Sequence, residues 1–125
     1  MANTLQGSCL CGTVHYELHA RPKALAHCHC SQCRKSHGAA FASYASVLRS
    51  DLQVTQGAEA ISSYPSSETV LRQFCSRCGS SLFWSKSQGE HADWISVALG
   101  TLDSEFTSVK HKHLHLASKA PWYDS

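Results

Sequence analysis

Seven cysteines in a chain of 125 residues are the strongest chemical signal in this sequence. They form three clusters: a C-x-C at Cys9 and Cys11, a C-x-C-x-x-C at Cys28, Cys30 and Cys33, and a C-x-x-C at Cys75 and Cys78. The two thiolates of a C-x-C in an extended chain lie on one side, because side chains repeat every two residues. A C-x-x-C bend directs two thiolates at one ion, and Gly79 after it can take the positive φ of the turn. The clusters therefore predict a metal-binding protein.

Zinc is the metal that this ligand set favours, because sites rich in thiolate select zinc or iron–sulfur clusters. An iron–sulfur cluster on the same sulfurs is the alternative. Disulfides are disfavoured, since a full set would leave one of the seven cysteines unpaired. A redox pair at Cys75 and Cys78 is also disfavoured, since a thioredoxin-like motif belongs in a βαβ pattern that this sequence does not show.

The seven thiolates divide most simply into a set of four and a set of three. Four cysteines close a structural zinc site, whereas three leave one coordination position open, as a reactive zinc requires. The three-cysteine cluster is then the local triplet Cys28, Cys30 and Cys33. The four-cysteine cluster comprises the remaining Cys9, Cys11, Cys75 and Cys78. Spacing leaves one alternative open: a histidine, such as His27, His29 or His37, completes the second site and makes it purely structural.

Composition and charge narrow the class of protein. The apolar fraction is 42% and the charged fraction 16%, which predicts one globular domain over residues 1–125. The net charge is only +2 and the basic residues are scattered, so we expect no electrostatic attraction of nucleic acid or a membrane surface. No apolar run approaches the ~20 residues of a membrane span, and no targeting segment is visible. We therefore expect a cytoplasmic protein whose thiols stay reduced.

Short segments of β character follow one another along the chain. Residues 12–18 alternate, with Val14, Tyr16 and Leu18 on one face, and this period of two is typical of a half-buried strand. Further strands are predicted at 41–48, 52–56, 70–74, 82–84, 94–99 and 111–116. The last of these would expose His111, His113 and His115 on one face. One short helix is predicted near 31–35, capped by Ser31. This pattern predicts a mainly β domain of mostly antiparallel sheets.

Six segments carry a resemblance to a known family. They are GSCLCG at 7–12, CHCSQCRK at 28–35, GAAF at 38–41, FCSRCGSSLF at 74–83, VALGTLD at 97–103 and SKAPW at 118–122. Together they resemble the glutathione-dependent formaldehyde-activating enzyme family, which also includes centromere protein V. The resemblance implies a β-tent fold of antiparallel sheets. It also implies two zinc ions per chain: a structural zinc on the four-cysteine cluster, and a second on the three-cysteine cluster with its fourth position open.

The same resemblance implies an activity of the carbon–sulfur lyase type on a small thiol adduct, with a thiol or an aldehyde as substrate. The reaction that names the family forms S-hydroxymethylglutathione from formaldehyde and glutathione. Cys28, Cys30 and Cys33 would then be catalytic, and His29 and His37 are the candidates for moving a proton. The competing hypothesis is a non-catalytic module, stabilised by zinc, that binds a protein partner. The natural substrate and the oligomeric state stay open at this point.

Overall fold

The computed structural model describes residues 4–108 and 110–123, and within these ranges the chain is built mainly from strands. The strands are β1 Leu5–Ser8, β2 His15–Leu18, β3 Leu25–Cys28, β4 Ala42–Leu48, β5 Leu52–Gln56, β6 Ile61–Pro65, β7 Val70–Cys75, β8 Ser81–Lys86, β9 Trp94–Ala98 and β10 His111–Leu114. One α-helix, α1, spans Ser31–His37. Short 3₁₀ turns lie at Arg49–Asp51, Ala58–Ala60, Leu99–Thr101 and Leu116–Ser118.

The strands form two sheets. The smaller has the order β1-β2-β5, and the larger has the order β10-β3-β4-β9-β8-β7-β6. Neighbouring strands of the described chain run antiparallel, except that β10 pairs with β3 in parallel. The prediction of a mainly β fold of antiparallel sheets is thus confirmed, with one parallel edge added. No helix of the described residues is long and apolar enough to cross a membrane.

The core lies between the two sheets. Tyr16 and Leu18 of β2, and Val14 just before it, are almost fully buried, as their alternation predicts. They belong to one cluster with inward side chains of the larger sheet, namely Val47, Phe83, Ile95 and Val97. The rings of Tyr16 and Phe83 meet edge to face, with centroids 5.4 Å apart.

The opposite face of the larger sheet, termed the outer face, carries polar and aromatic side chains. Arg72 of β7 pairs with Trp84 of β8, and Trp84 pairs with Ser96 of β9. Ser96 pairs in turn with Ser46 of β4, and Tyr44, two residues before Ser46, lies on the same face and pairs with Ala26 of β3. The helix α1 connects β3 to β4 and meets Tyr44 and Trp84 through Cys33.

The helix α1 begins at Ser31, as predicted, but its cap and its last residue differ from the prediction. Its N-cap is Cys30, whose Sγ accepts a hydrogen bond of 3.3 Å from the N–H of Cys33. The prediction that Ser31 caps the helix is therefore wrong, since Ser31 is its first residue. The helix also continues to His37, and it ends at Gly38, which takes the left-handed conformation with φ of 60°.

Gly7 tests how tightly the sheets are packed. A Cβ at this position would overlap the ring of Tyr16, whereas a Cβ at Gly100 would meet nothing within 4 Å. We expect Gly7→Ala to lower the free energy of unfolding by about 1–3 kcal/mol, because the buried ring must shift. Gly100→Ala should leave that free energy within about 0.5 kcal/mol of the wild type. Denaturant unfolding of both variants checks this, and equal stabilities would contradict the packing described.

Candidate metal centre

The loop after β1 and the turn after β7 bring the four-cysteine cluster together. Its sulfur atoms all lie within 4.8 Å of one another. The Sγ atoms of Cys9 and Cys11 are 3.7 Å apart, and those of Cys11 and Cys75 are 3.9 Å apart. Sulfurs at the corners of a tetrahedron around zinc lie about 3.8 Å apart when each Zn–S bond is about 2.3 Å. The donor set and its spacing therefore fit zinc.

Neighbouring residues make hydrogen bonds to sulfurs of this cluster. The N–H of Val14 donates to the Sγ of Cys9 at 3.3 Å. Cys78 lies 3.3 Å from the hydroxyl of Ser80, and this hydroxyl together with the Ser80 backbone lowers the pKa of Cys78 to about 5. Gly79 between them has φ of 84°, which is the turn that the C-x-x-C spacing required. The Cys78 thiolate is thus available to a metal at neutral pH.

The three-cysteine cluster is built by consecutive local elements. Cys28 ends β3, Cys30 caps α1, and Cys33 lies in the first turn of α1. Their sulfurs also lie within 4.8 Å of one another, and the Sγ atoms of Cys28 and Cys30 are 3.5 Å apart. Cys28 and Cys33 are buried, and Cys30 is half-buried. Within the described ranges, no histidine, further cysteine or carboxylate joins the group at that distance. Three thiolates with no fourth side-chain ligand fit a zinc with an open position.

Arg72 is the functional candidate that the sequence did not reveal. Its side chain is buried, and both terminal guanidinium nitrogens donate to the Sγ of Cys33, at 3.7 and 3.8 Å. Its Nε donates to the hydroxyl of Ser66 at 3.1 Å, which fixes the plane of the guanidinium. Three thiolates around a divalent ion leave one net negative charge, and the arginine lies where it offsets that charge. Its position 39 residues after Cys33 gives no motif that could have identified it.

His37 reaches the cluster through Tyr44. The Nε2 of His37 lies 2.9 Å from the hydroxyl of Tyr44, and the two rings meet edge to face. Tyr44 packs against Cys28 and Cys33. Burial, followed by the charge of Cys33, raises the pKa of Tyr44, so its hydroxyl keeps its proton at neutral pH. Burial, followed by the charge of Arg72, lowers the pKa of His37, so its imidazole is neutral. This neutral pair can pass a proton.

His29 points away from the three-cysteine cluster. His27 and His29 both pack on Phe41, each with ring centroids 4.8 Å apart, whereas Cys28 between them points to the other face. The Nε2 of His29 lies 2.9 Å from the Nδ1 of His113, on the neighbouring strand β10.

The tail histidines His111 and His113 are exposed, as predicted, but His115 lies beyond the strand with φ of 59°.

The four-cysteine cluster should decide whether the chain folds. A structural zinc contributes about 10–16 kcal/mol in zinc-finger peptides, and a whole domain has only about 5–15 kcal/mol of stability. We expect Cys75→Ala to abolish cooperative thermal unfolding, measured by circular dichroism. The matched variant Cys30→Ala, in the other cluster, should keep a cooperative transition. A Cys75→Ala protein that lost one zinc but unfolded cooperatively would contradict this assignment.

Arg72 should tune the metal affinity of the three-cysteine cluster alone. Arg72→Met removes the charge beside Cys33, and we expect the affinity of one of two bound zinc ions to fall by about 10–100-fold. Titration with a chromophoric chelator measures both affinities in one experiment. Arg72→Lys keeps the charge without the paired donors and should recover part of the affinity. Equal weakening of both zinc ions would instead point to a general loss of structure.

Comparison with known proteins places this chain in a family. The sequence model of the family "Glutathione-dependent formaldehyde-activating enzyme" matches residues 4–118. A Halomonas elongata protein named "Putative glutathione-dependent formaldehyde-activating enzyme" is 32% identical over 129 residues, covering 96% of this chain and 80% of that protein. A Schizosaccharomyces pombe protein named an uncharacterized lyase is 27% identical over 94 residues, which are 75% of this chain and 66% of the yeast protein.

A solved structure is similar to this chain in fold and sequence. A crystal structure of a Rhodobacter sphaeroides protein has a TM-score of 0.63 and 28% identity, covering 80% of this chain and 89% of that one. The family and the names of the two sequence relatives support the prediction of an enzyme of the carbon–sulfur lyase type. The chain belongs to the glutathione-dependent formaldehyde-activating enzyme family.

Proposed function

We propose that this protein is a zinc-dependent carbon–sulfur lyase that joins glutathione and formaldehyde into S-hydroxymethylglutathione, and that catalyses the reverse reaction. The observation that carries the proposal is the three-cysteine cluster, which has no fourth side-chain ligand among the described residues and lies beside Arg72 and the Tyr44–His37 pair. Family membership supports the substrates. The proposal places the protein in the cytoplasm, as one domain over residues 1–125 with two zinc ions.

The reaction needs a thiolate, a polarised carbonyl and a route for one proton. The sulfur of the thiol attacks the aldehyde carbon, so a carbon–sulfur bond forms and the carbonyl π bond breaks. The proton of the thiol ends on the new hydroxyl oxygen, and no electrons enter or leave. A zinc ion on the three-cysteine cluster would supply Lewis-acid chemistry at a carbonyl oxygen or a thiolate sulfur.

The residues around the cluster can supply the remaining tasks. Arg72 holds positive charge against Cys33, so a substrate that brings negative charge to the cluster meets less repulsion. The hydroxyl of Tyr44 is a neutral donor at the cluster, and His37 behind it can accept and return the proton. His29 also remains a predicted candidate, but its contact with His113 leads us to assign the proton transfer to His37.

Loss of one cysteine ligand should separate the two proposed roles of zinc. We expect Cys30→Ala to fold with one zinc per chain, against two for the wild type, and to lose turnover of glutathione and formaldehyde. Elemental analysis and proton NMR of product formation measure both quantities. In cobalt-substituted wild type, millimolar glutathione should change the absorption bands of one site only. Full turnover by Cys30→Ala with one zinc lost would disprove the catalytic role, and two sites inert to glutathione would favour a binding module.

Proton transfer should depend on the Tyr44–His37 pair. We expect His37→Ala and Tyr44→Phe each to lower kcat by about 10²–10⁴-fold, as for loss of a general acid–base group. Both zinc ions should stay bound, since neither residue belongs to a cysteine cluster. Steady-state kinetics with metal analysis checks this. His29→Gln discriminates between the two histidine candidates, because a loss confined to that variant would move the assignment to His29.

A further inference from the structure

Two cavities lie on the outer face of the larger sheet, and each is lined by one residue that contacts the three-cysteine cluster, Tyr44 in the first and Arg72 in the second. The first has a volume of about 340 Å³, and its lining includes Arg21, Lys23, Ala26, Tyr44, Trp94 and Lys112. The second has a volume of about 510 Å³, and its lining includes Gln32, Lys35, Tyr64 and Arg72. Building on the proposed function, we propose that the first cavity binds a carboxylate of the thiol substrate, with Lys112 and Lys23 as its cationic anchors.

Tyr44 links the first cavity to the cluster. Tyr44 packs against Cys28 and Cys33 and also lines the cavity, so one side chain is shared between them. Ala26 precedes Cys28 by two residues on β3, which is about 7 Å along an extended strand. The thiol of glutathione is on its central residue, so a terminal carboxylate lies about two residue lengths from it, or roughly 7 Å. Glutathione with its sulfur at the cluster can therefore place a terminal carboxylate in the first cavity.

The parallel pairing of β10 brings Lys112 into this cavity. Lys112 is paired with Ala26, and Ala26 is paired with Tyr44, so the three side chains lie on one face of the sheet. Lys112 comes from a strand far along the chain from β3, so its sequence position does not reveal this placement. The pairing therefore adds a charge to the face that carries the cluster.

The charges of the first cavity fit an anion. Its lining has three cationic side chains, Arg21, Lys23 and Lys112, and one acidic side chain, Asp51. Arg21 also stacks on Phe106, with its guanidinium carbon 5.3 Å from the ring centroid. Within the described residues, neither lysine forms an ion pair with a carboxylate. The cavity thus combines the aromatic side chain of Trp94 with two ammonium groups that form no ion pair among the described residues. This combination suits a ligand with a carboxylate and a hydrocarbon stem.

The second cavity is the weaker candidate for this anchor. Its Arg72 already donates to Cys33 and Ser66, so the guanidinium is engaged with the protein itself. Lys35 is then the one other cation of its lining. The two cavities thus differ in free positive charge although each has one lining residue in contact with the cluster, and Lys35→Gln is therefore a matched control.

The test compares glutathione with a neutral thiol. We expect Lys112→Gln to raise KM for glutathione about tenfold with kcat unchanged, and Lys23→Gln/Lys112→Gln to raise it further. KM for 2-mercaptoethanol, which carries no carboxylate, should not change. Calorimetric Kd values for glutathione on the zinc-loaded protein should rise by the same factor, and added salt should reduce the difference. Lys35→Gln should leave each value at that of the wild type.

Several outcomes would overturn the inference. They are an unchanged KM and Kd in the double variant, an equal loss with 2-mercaptoethanol, and a loss in Lys35→Gln in place of Lys112→Gln. As a control, each variant should unfold at the thermal midpoint of the wild type, which shows that its fold is intact. If the wild type turned over neither thiol, the proposed function would fail. Calorimetry would then test the carboxylate anchor independently of activity. Equal Kd values for glutathione in Lys112→Gln and the wild type would overturn the anchor.

Discussion

Four sulfur atoms held within 4.8 Å of one another are the constraint on which the rest of this fold depends. Thiolates at that distance repel one another unless a cation lies between them. A zinc ion there would turn the repulsion into a crosslink between the loop after β1 and the turn after β7, joining Cys11 to Cys75 across 64 residues of chain. The smaller sheet would thereby be fixed to the larger one beside the apolar core that both sheets share. Closing so long a loop costs chain entropy, and metal binding would offset that cost.

The three-cysteine cluster follows a different principle. Its ligands are local, since the end of β3 and the first turn of α1 supply all three. Its environment is not local, because Arg72 comes from β7 and Tyr44 from β4. A short segment thus sets the ligand geometry, whereas the sheet sets the charge and the proton-bearing groups around it. This division suits a reactive site, in which the ligands stay fixed while surrounding residues select the chemistry.

The alternation of side chains along β3 separates two groups of residues that the sequence interleaves. Cys28 points to the outer face, where α1 and the two cavities lie. His27 and His29 point to the opposite side and pair with His111 and His113 of β10. A motif that reads as one cluster of cysteine and histidine is therefore two clusters back to back. Proximity in sequence favoured His29 as a partner of the cysteines, and the pleat of the strand put it on the other face.

The sequence by itself determined the metal chemistry and most of the strands. Cysteine spacing is a local property, and it predicted both clusters; alternation over residues 12–18 predicted the face that is buried. Three strands, β1, β3 and β6, were missed because their sequences, LQGS, LAHC and ISSYP, contain few β-branched or aromatic residues. Only the tertiary structure decided that Arg72 meets Cys33, that Tyr44 connects His37 to the cluster, and that Lys112 faces Ala26. Those contacts depend on strand order and register, which join residues far apart in the chain and leave no pattern within it.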